Sequence, residues 1–525
     1  MPSRLPVQVP CGLTPPAASD DARTDAATSA SPVWTRTWFW VLLAALATAP
    51  YLAASIPPLE DFGGHVGRYH IMLDGGRSPD LQRYYSFHWR LIGNLGVDLL
   101  MTLVGPLLGA ERGAWLISAL SHAAMVLGLF AVSRAAHGRV QPTAFLALPF
   151  VYALAFSQGF LNYDLAAALA LLALALWIAM RERGRLRALL FVPLAAALWI
   201  CHAVGWGLAG LLIGGYECQA AVRKGGWALA ALRRAIVGVA PLTPPALLSV
   251  FASPGGHPPA VILASAPHSA ASYVAHKIAI LLFQFAGPFV GLDLLAILLT
   301  WSVFAALLLR GGSIAPSLGA PAALLGLAVI LMPPIALGVA QADMRLAPMF
   351  AVVLLLSVRS DLVRGSPLVV MLALALSGVR LAATAEEWRR ADTSYAHHLA
   401  ALQEIPTGAR ILALVPTEGG LTQAEGPPLR HLADLAVVRR DAFVNSQFAV
   451  AGAQPLEVKA NTDSPFHIDP SEFVAQDRIR QALAGADKGH FDYAWVLGRY
   501  PPGPTPANLV PIFTDDETQL FRVVR

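Results

Sequence analysis

The chain has 525 residues, of which 56% are hydrophobic and only 13% charged. That is about half the charge of an ordinary soluble domain, which carries roughly 25%, so a soluble globular protein of this size is excluded. The formal net charge of +4 gives no sign of a nucleic-acid partner, and three cysteines without a Cys-x-x-Cys pair indicate neither a disulfide framework nor a thiolate metal site.

In chain order, residues 1–36 are rich in Ala, Ser, Thr, Pro and Asp and are expected to be a disordered N-terminus. Apolar runs of membrane length then predict transmembrane helices near 37–55, 114–133, 142–158, 162–180, 188–203, 205–221, 235–252, 288–309, 318–340, 345–358 and 366–384, about eleven in all. Residues 92–109 are apolar but interrupted by Asn94, Asp98 and Pro106, and 277–287 are short enough to be re-entrant or the start of a tilted helix. Arg134 and Arg139, Arg181 to Arg187, Arg223 to Arg234, Arg310, and Arg359 with Arg364 fall on one side of this arrangement. The positive-inside tendency makes that side cytoplasmic, lays 92–109 on the outer surface as an amphipathic helix, and places 386–525 outside. Arg380, Arg389 and Arg390, just after the last span, run against the last inference.

Beyond residue 386 the apolar runs shorten. GARILALVP (408–416), DLAVVRRDAFV (434–444), DYAWVLGRY (492–500) and LFRVVR (520–525) read as strands, and 471–485 as a helix ending at Gly485, which together predict a small extracytoplasmic α/β domain. The fold class expected is therefore an α-helical polytopic membrane protein, with the spans in 37–385 and the α/β domain in 386–525.

Chemistry concentrates in the first outer loop, 56–113, which begins PPLEDFGGHVGRYH. Glu60 and Asp61 are adjacent carboxylates just past the first span. A carboxylate there can take a proton from a hydroxyl or hold a metal ion, and an Arg beside it can bind a phosphate through paired hydrogen bonds. His65 and Arg68 share a helical face one turn apart. The bland alternative is that Glu60 and Asp61 merely cap the following helix. Inside the membrane, Asn162, Asp164 and His202 are polar groups that either line an outer cavity or bond between helices. Arg345 is a lone outer Arg suited to a carrier phosphate unless Asp343 pairs with it. His257, His268 and His276 match no tight metal spacing and read as solvated loop residues.

The layout of residues 37–385 resembles the GT-C superfamily of integral-membrane glycosyltransferases. The likeness rests on the acidic pair Glu60-Asp61 after the first helix, the long first outer loop with its amphipathic segment, the many helices that follow, and the outer Arg345. The resemblance implies a bacterial inner-membrane enzyme that moves a sugar from a polyprenyl-phosphate carrier to a glycan, lipid or protein acceptor outside the cytoplasm. Asp61 would be its base, with Glu60 assisting, and His65, Arg68, Asn162, Asp164, His202 and Arg345 would bind substrate. The spaced Asp-x-Asp of some members is absent, so a divalent metal is possible but unassigned. A transporter or a non-catalytic export or assembly protein is the alternative from another class; Pro333-Pro334 and Pro241-Pro244-Pro245 interrupt helices as such proteins require, but no matching halves are evident.

Overall fold

A computed structural model describes residues 32–223, 228–251, 267, 269–285, 289–336, 339–360, 366–419, 422–423, 427–450, 452–501 and 503–524. The expected disorder of 1–31 and the loop histidines His257 and His268 lie outside the described residues. The principal helices are α1 (Thr37–Leu46), α2 (Phe62–Asp74), α3 (Gly96–His137), α4 (Leu161–Ala179), α5 (Gly184–Cys201), α6 (Ala203–Arg223), α7 (Ala228–Val239), α8 (Ala270–Leu282), α9 (Val290–Leu309), α10 (Pro316–Leu331), α11 (Ala342–Ser357) and α12 (Ser366–Ala400).

Among the described residues five helices, α3, α4, α5, α9 and α12, are long and apolar enough to cross a membrane, and four shorter apolar stretches accompany them. Much of their outer surface is uncovered apolar side chain. Leu298, Leu309 and Leu331 are 64%, 88% and 67% exposed, a surface that lipid covers at no cost and water does not. The molecule is a membrane protein.

Four of the expected spans are interrupted, each near proline, which cannot donate to the helix ladder; in the 37–55 stretch α1 gives way to a separate turn, Ala49–Ala53, at Pro50. The 142–158 stretch breaks into short turns, Thr143–Leu146, Leu148–Tyr152 and Leu154–Ser157, around Pro149. The 235–252 stretch divides between α7 and a separate helix, Pro244–Phe251, and the 318–340 stretch ends at Leu331 just before Pro333 and Pro334. Of the ambiguous 277–287 segment, residues 277–282 are the end of α8, which begins earlier, at Ala270, and 286–287 lie outside the described residues.

The amphipathic expectation for 92–109 corresponds to the first limb of α3. Val97, Asp98, Met101 and Gly105 are buried while Leu99, Leu103 and Leu107 are exposed, the i, i+4 alternation of a helix lying on a boundary. Gly109 ends this limb with φ 76° and ψ 174°, backbone angles that a residue with a Cβ resists, and the chain then turns into the membrane-length limb.

A buried polar brace fixes α2 against this limb. Arg68, fully buried, donates from Nε and Nη2 to the two oxygens of Asp98 at 2.9 and 3.0 Å. Asn162 Nδ2 of α4 donates to the same carboxylate at 3.2 Å, and Asn162 Oδ1 accepts from the Val97 backbone. Three elements meet in one charged pair.

The C-terminal part is a mixed sheet. Its strands are β2 (Arg410–Gly419), β3 (Phe443–Val444), β5 (Phe473–Ala475), β6 (Tyr493–Leu497), β7 (Leu509–Thr514) and β8 (Thr518–Val523), while β1 (Tyr85–Phe87) and β4 (Leu456–Val458) form a separate ribbon. The sheet order is β5-β2-β6-β8-β7, with β3 joining the start of β2. Parallel neighbours leave Ile411 to Val415 of β2 buried on both faces, which is why that strand is a continuous apolar run. The 434–444 segment is not a strand: Leu435–Arg440 is a helix, α13, stopped by Asp441 at φ 47°, and only Phe443–Val444 pair in the sheet. Residues 471–485 begin with β5, and the helical part is Ile479–Ala484, α14, capped at Gly485.

No break separates this sheet from the bundle. α12 continues past residue 386 to Ala400, and its Trp388 packs edge-on against Tyr51 with ring centroids 4.7 Å apart. The first loop is stitched to the domain by the antiparallel pairing of β1 with β4, by Arg439 with Glu111 at 2.9 Å, and by His70 with Asp441 at 2.9 Å. One hydrophobic core includes Tyr69 and Tyr85 of the loop and Leu414 and Trp495 of the sheet.

Removing one partner of a buried ion pair strands the other charge, at a cost of about 3–5 kcal/mol. Arg68→Ala is therefore expected to lower the thermal unfolding midpoint of the detergent-purified protein sharply. The paired replacement Arg68→Met with Asp98→Leu should be much milder. Equal losses from the single and double variants would show that the brace does not act as a pair.

Candidate functional site

The site forms where three elements converge on the acidic doublet. Pro57 and Pro58 carry the chain out of the first helical segment into a turn, and Asp61 occupies the N-cap position of α2. Its carboxylate makes no capping hydrogen bond, so the capping explanation for this residue fails. The backbone is held from the other side: the Glu60 and Asp61 amides donate to the Ser157 and Gln158 carbonyls at 3.3 and 2.9 Å. Gly159 follows at φ 78°, and a Cβ there would lie 3.0 Å from Leu59 Cβ and 3.1 Å from the Asp61 nitrogen. Glycine is thus required for the start of α4 to approach the doublet.

From the first turn of α4 come Tyr163 and Asp164. Asp164 is buried, and neither of its carboxylate oxygens has a hydrogen-bond partner among the described residues. Arg345, in the first turn of α11, lays its guanidinium over Phe160, 3.4 Å from the ring centroid, and lies 5.6 Å from that of Tyr163. Its Nη2 donates to the Ala340 carbonyl at 3.3 Å, its Nε has no hydrogen-bond partner among the described residues, and it interacts electrostatically with both Asp61 and Asp164. Asp343 does not neutralise it: that carboxylate is taken by Lys277 and by His276, the latter at 2.8 Å. His202 faces Tyr163 edge-on at 5.6 Å and accepts from the Val204 amide through Nδ1 at 3.1 Å.

The third element is the C-terminal domain, in which sequence reasoning placed no chemistry. Arg430 donates to Glu60 at 3.2 Å and to Asp469 at 2.9 Å. His431 Nε2 points toward Asp61 and Asp469, 3.8 and 3.6 Å away, and has no hydrogen-bond partner among the described residues. His431 is itself at φ 58°, an unusual conformation for a residue with a side chain. Its Nδ1 lies 2.9 Å from Asp434 Oδ2 and 2.8 Å from the Ser446 carbonyl. His431, Asp469 and Glu472 each offer a ligand atom within 4.8 Å of the others, and these are the residues here that could hold a metal ion.

The glycines of α2 make this convergence possible. A Cβ on Gly63 would meet the His431 carbonyl oxygen at 2.0 Å, one on Gly64 would meet Phe448 Cβ at 2.9 Å, and one on Gly67 would meet Gln447 Oε1 at 2.2 Å. The three lie on the side of the helix that lets the domain backbone come against it, where Gln447 Nε2 donates to the Gly64 carbonyl at 2.9 Å.

Electrostatics follow burial. The Asp61 carboxyl is pushed up to about 6 by burial, which the positive charges of Arg430 and His431 partly oppose. For His431 burial disfavours the charged ring, but the hydrogen bond and charge of Asp434, with Asp469 behind it, prevail and raise it to about 9. His65, stacked on Tyr69 at 6.1 Å, is held well below the usual range by burial and then by Arg68, so its ring is neutral.

Of the residues singled out in the sequence, Asp61, Glu60, His65, Asp164, His202 and Arg345 come together. Arg68 and Asn162 are turned away into the Asp98 brace. Arg430, His431, Asp469 and Glu472 are additions that sequence reasoning missed. Their only signal is a pair of polar clusters, RHLAD and HIDPSE, in a region otherwise read for its strands.

No protein-family model and no curated protein matches the chain. Among solved structures the chain is similar to the crystal structure of ArnT from Cupriavidus metallidurans bound to undecaprenyl phosphate, at 12% identity and a TM-score of 0.48, covering 93% of this chain and 98% of that one.

Gly63→Ala is expected to force α2 off the domain. It should lower the unfolding midpoint and speed proteolysis between the first loop and the sheet. Gly207→Ala, in a helix with open space around it, is the control and should be neutral or stabilise by up to about 1 kcal/mol. A Gly63→Ala protein as stable and protease-resistant as the control would disprove the tight contact.

Proposed function

We propose that the protein is a membrane glycosyltransferase that moves a sugar from a polyprenyl-phosphate carrier to a hydroxyl-bearing acceptor on the outer side of the membrane, with 386–525 on that side. The observation that carries this reading is the Asp61 carboxylate, which makes no capping hydrogen bond, set at the end of the apolar bundle beside an Arg345 that makes no ion pair among the described residues. A lipid-borne phosphate approaching along the bundle meets Arg345, and an acceptor approaching from the domain meets Asp61.

In the reaction Asp61 takes the acceptor hydroxyl proton as that oxygen attacks the anomeric carbon. The bond from this carbon to the carrier phosphate breaks, its electron pair leaves with the phosphate, and the configuration inverts. Arg345 meets the charge that develops on the departing phosphate. Neutral His65 orients the acceptor, Glu60 holds Arg430 in place, and Asp164 and His202 line the donor side.

Asp61→Asn preserves shape and removes the base, and should reduce transfer from a labelled polyprenyl-phosphate sugar by about 100-fold or more at unchanged protein level. Arg345→Ala should cost about 100-fold through the leaving phosphate. Full transfer by purified Asp61→Asn protein would remove Asp61 from the mechanism.

A further inference from the structure

His431, Asp469 and Glu472 are three potential metal ligands in a buried position, only 1%, 5% and 0% exposed. Two independent features mark the space between them. Among the described residues His431 Nε2 has no hydrogen-bond partner, and neither has either carboxylate oxygen of Glu472. A buried carboxylate without a donor costs several kcal/mol unless something neutralises it. The charges of His431 and Arg430 act on Glu472 from a distance, but the hydrogen bonds of Arg430 go to Glu60 and Asp469.

We propose that His431, Asp469 and Glu472 bind a divalent transition-metal ion, Zn2+ or Mn2+, within the C-terminal domain next to Asp61. The spacing suits an ion. Nitrogen and oxygen ligands at about 2.0–2.2 Å around a tetrahedral centre stand about 3.4 Å apart. Here Nε2 lies 3.6 Å from Asp469 Oδ1, and all the ligand atoms lie within 4.8 Å of one another, so small side-chain adjustments close the site. An imidazole nitrogen among two carboxylates favours these ions over Mg2+ or Ca2+, which prefer oxygen throughout.

The surroundings complete the pattern. A metal-binding histidine typically donates its other ring nitrogen to a carboxylate or carbonyl, which fixes the ring and its tautomer. His431 Nδ1 has both, the Asp434 carboxylate at 2.9 Å and the Ser446 carbonyl at 2.8 Å, and Ser446 Oγ holds Asp434 in turn at 2.5 Å. Carboxyl groups outnumber cations here: Glu60, Asp61, Asp434, Asp469 and Glu472 lie among Arg430 and His431, with Arg345 acting on Asp61, and a divalent ion would favour the ionised Glu472 that burial opposes. Three protein ligands leave coordination positions open, and Asp61, with Oδ1 3.8 Å from Nε2, stands at that opening. The ion would hold water, or an oxygen of a bound ligand, beside the proposed base.

The site stands on its own residues, and its test does not depend on sugar transfer. Full-length protein purified in detergent and stripped with chelator is equilibrated with Zn2+ or with Mn2+, and bound metal is read by elemental analysis and, for Mn2+, by electron paramagnetic resonance. About one tightly held ion per chain is expected, with a raised unfolding midpoint. Glu472→Gln, nearly unchanged in shape, and Asp469→Asn should each weaken binding at least about tenfold and abolish the metal-induced shift. His490→Ala, in an exposed cluster with Asp463 and Asp487, should leave both readouts as they are. Wild-type protein that takes up neither ion, or Glu472→Gln and Asp469→Asn proteins that bind as the wild type does, would overturn the proposal.

Discussion

The contact on which the site depends is that between the bare face of α2 and the backbone around His431. Gly63, Gly64 and Gly67 present no Cβ, and the domain comes so close that a methyl group on Gly63 would sit 2.0 Å from a carbonyl oxygen. Backbone-to-backbone approach of this kind is what carries Arg430 and His431 to the acidic doublet. The same helix turns Arg68 to the bundle, where Asp98 and Asn162 hold it. One short helix therefore ties the domain to the membrane part by two different means, close packing toward the domain and a buried charge pair toward the bundle. Neither alone sets the position of Asp61, since the packing fixes its distance from His431 and the brace fixes the helix on the bundle.

Charge at the seam is arranged unevenly. On the domain side carboxylates outnumber cations, and Arg430 is shared between Glu60 and Asp469 at 3.2 and 2.9 Å. On the bundle side Arg345 rests on Phe160 and makes no ion pair among the described residues. A pair of unit charges about 4 Å apart attracts by roughly 4 kcal/mol in surroundings of intermediate polarity. Arg345 thus retains an attraction for an anion that a neutralised arginine would already have satisfied. Asp61 lies between these two regions, close enough to both to be raised by burial and lowered by Arg430 and His431.

Much of this was legible in the sequence where the signal is local. The length of apolar runs gave away the bundle, the placement of Arg134 and Arg139 laid 92–109 on the surface, and the ILALV run gave away the central strand. Proline positions foretold where helices break, yet 142–158 still read as one span because its composition outweighed Pro149. The 434–444 segment misled for a related reason: Leu435, Ala436 and Val437 are buried together in a helix of a single turn or two, too short for its periodicity to show. Arg68 beside a helix end looked like a phosphate ligand because its partner, Asp98, lies 30 residues away. The domain's share of the site was hidden more deeply, since 370 residues separate Glu60 from Arg430. Nothing in either segment announces the other except, in retrospect, the glycines of FGGHVG, whose only evident use is to admit a close neighbour.

The fate of Arg345 shows how a charge is kept available inside an apolar structure. Read locally, QADMRLAP offers Asp343 as a natural partner two residues away. On a helix, however, residues two apart point in different directions, and here Asp343 turns to α8. There Lys277 and His276 neutralise it, the latter at 2.8 Å. Lys277 therefore acts on Arg345 without touching it: by occupying the one carboxylate in the same turn of helix, it leaves the guanidinium to Phe160 and to whatever anion enters. An aromatic face stabilises a cation without cancelling its charge, so a phosphate gains the full attraction when it binds.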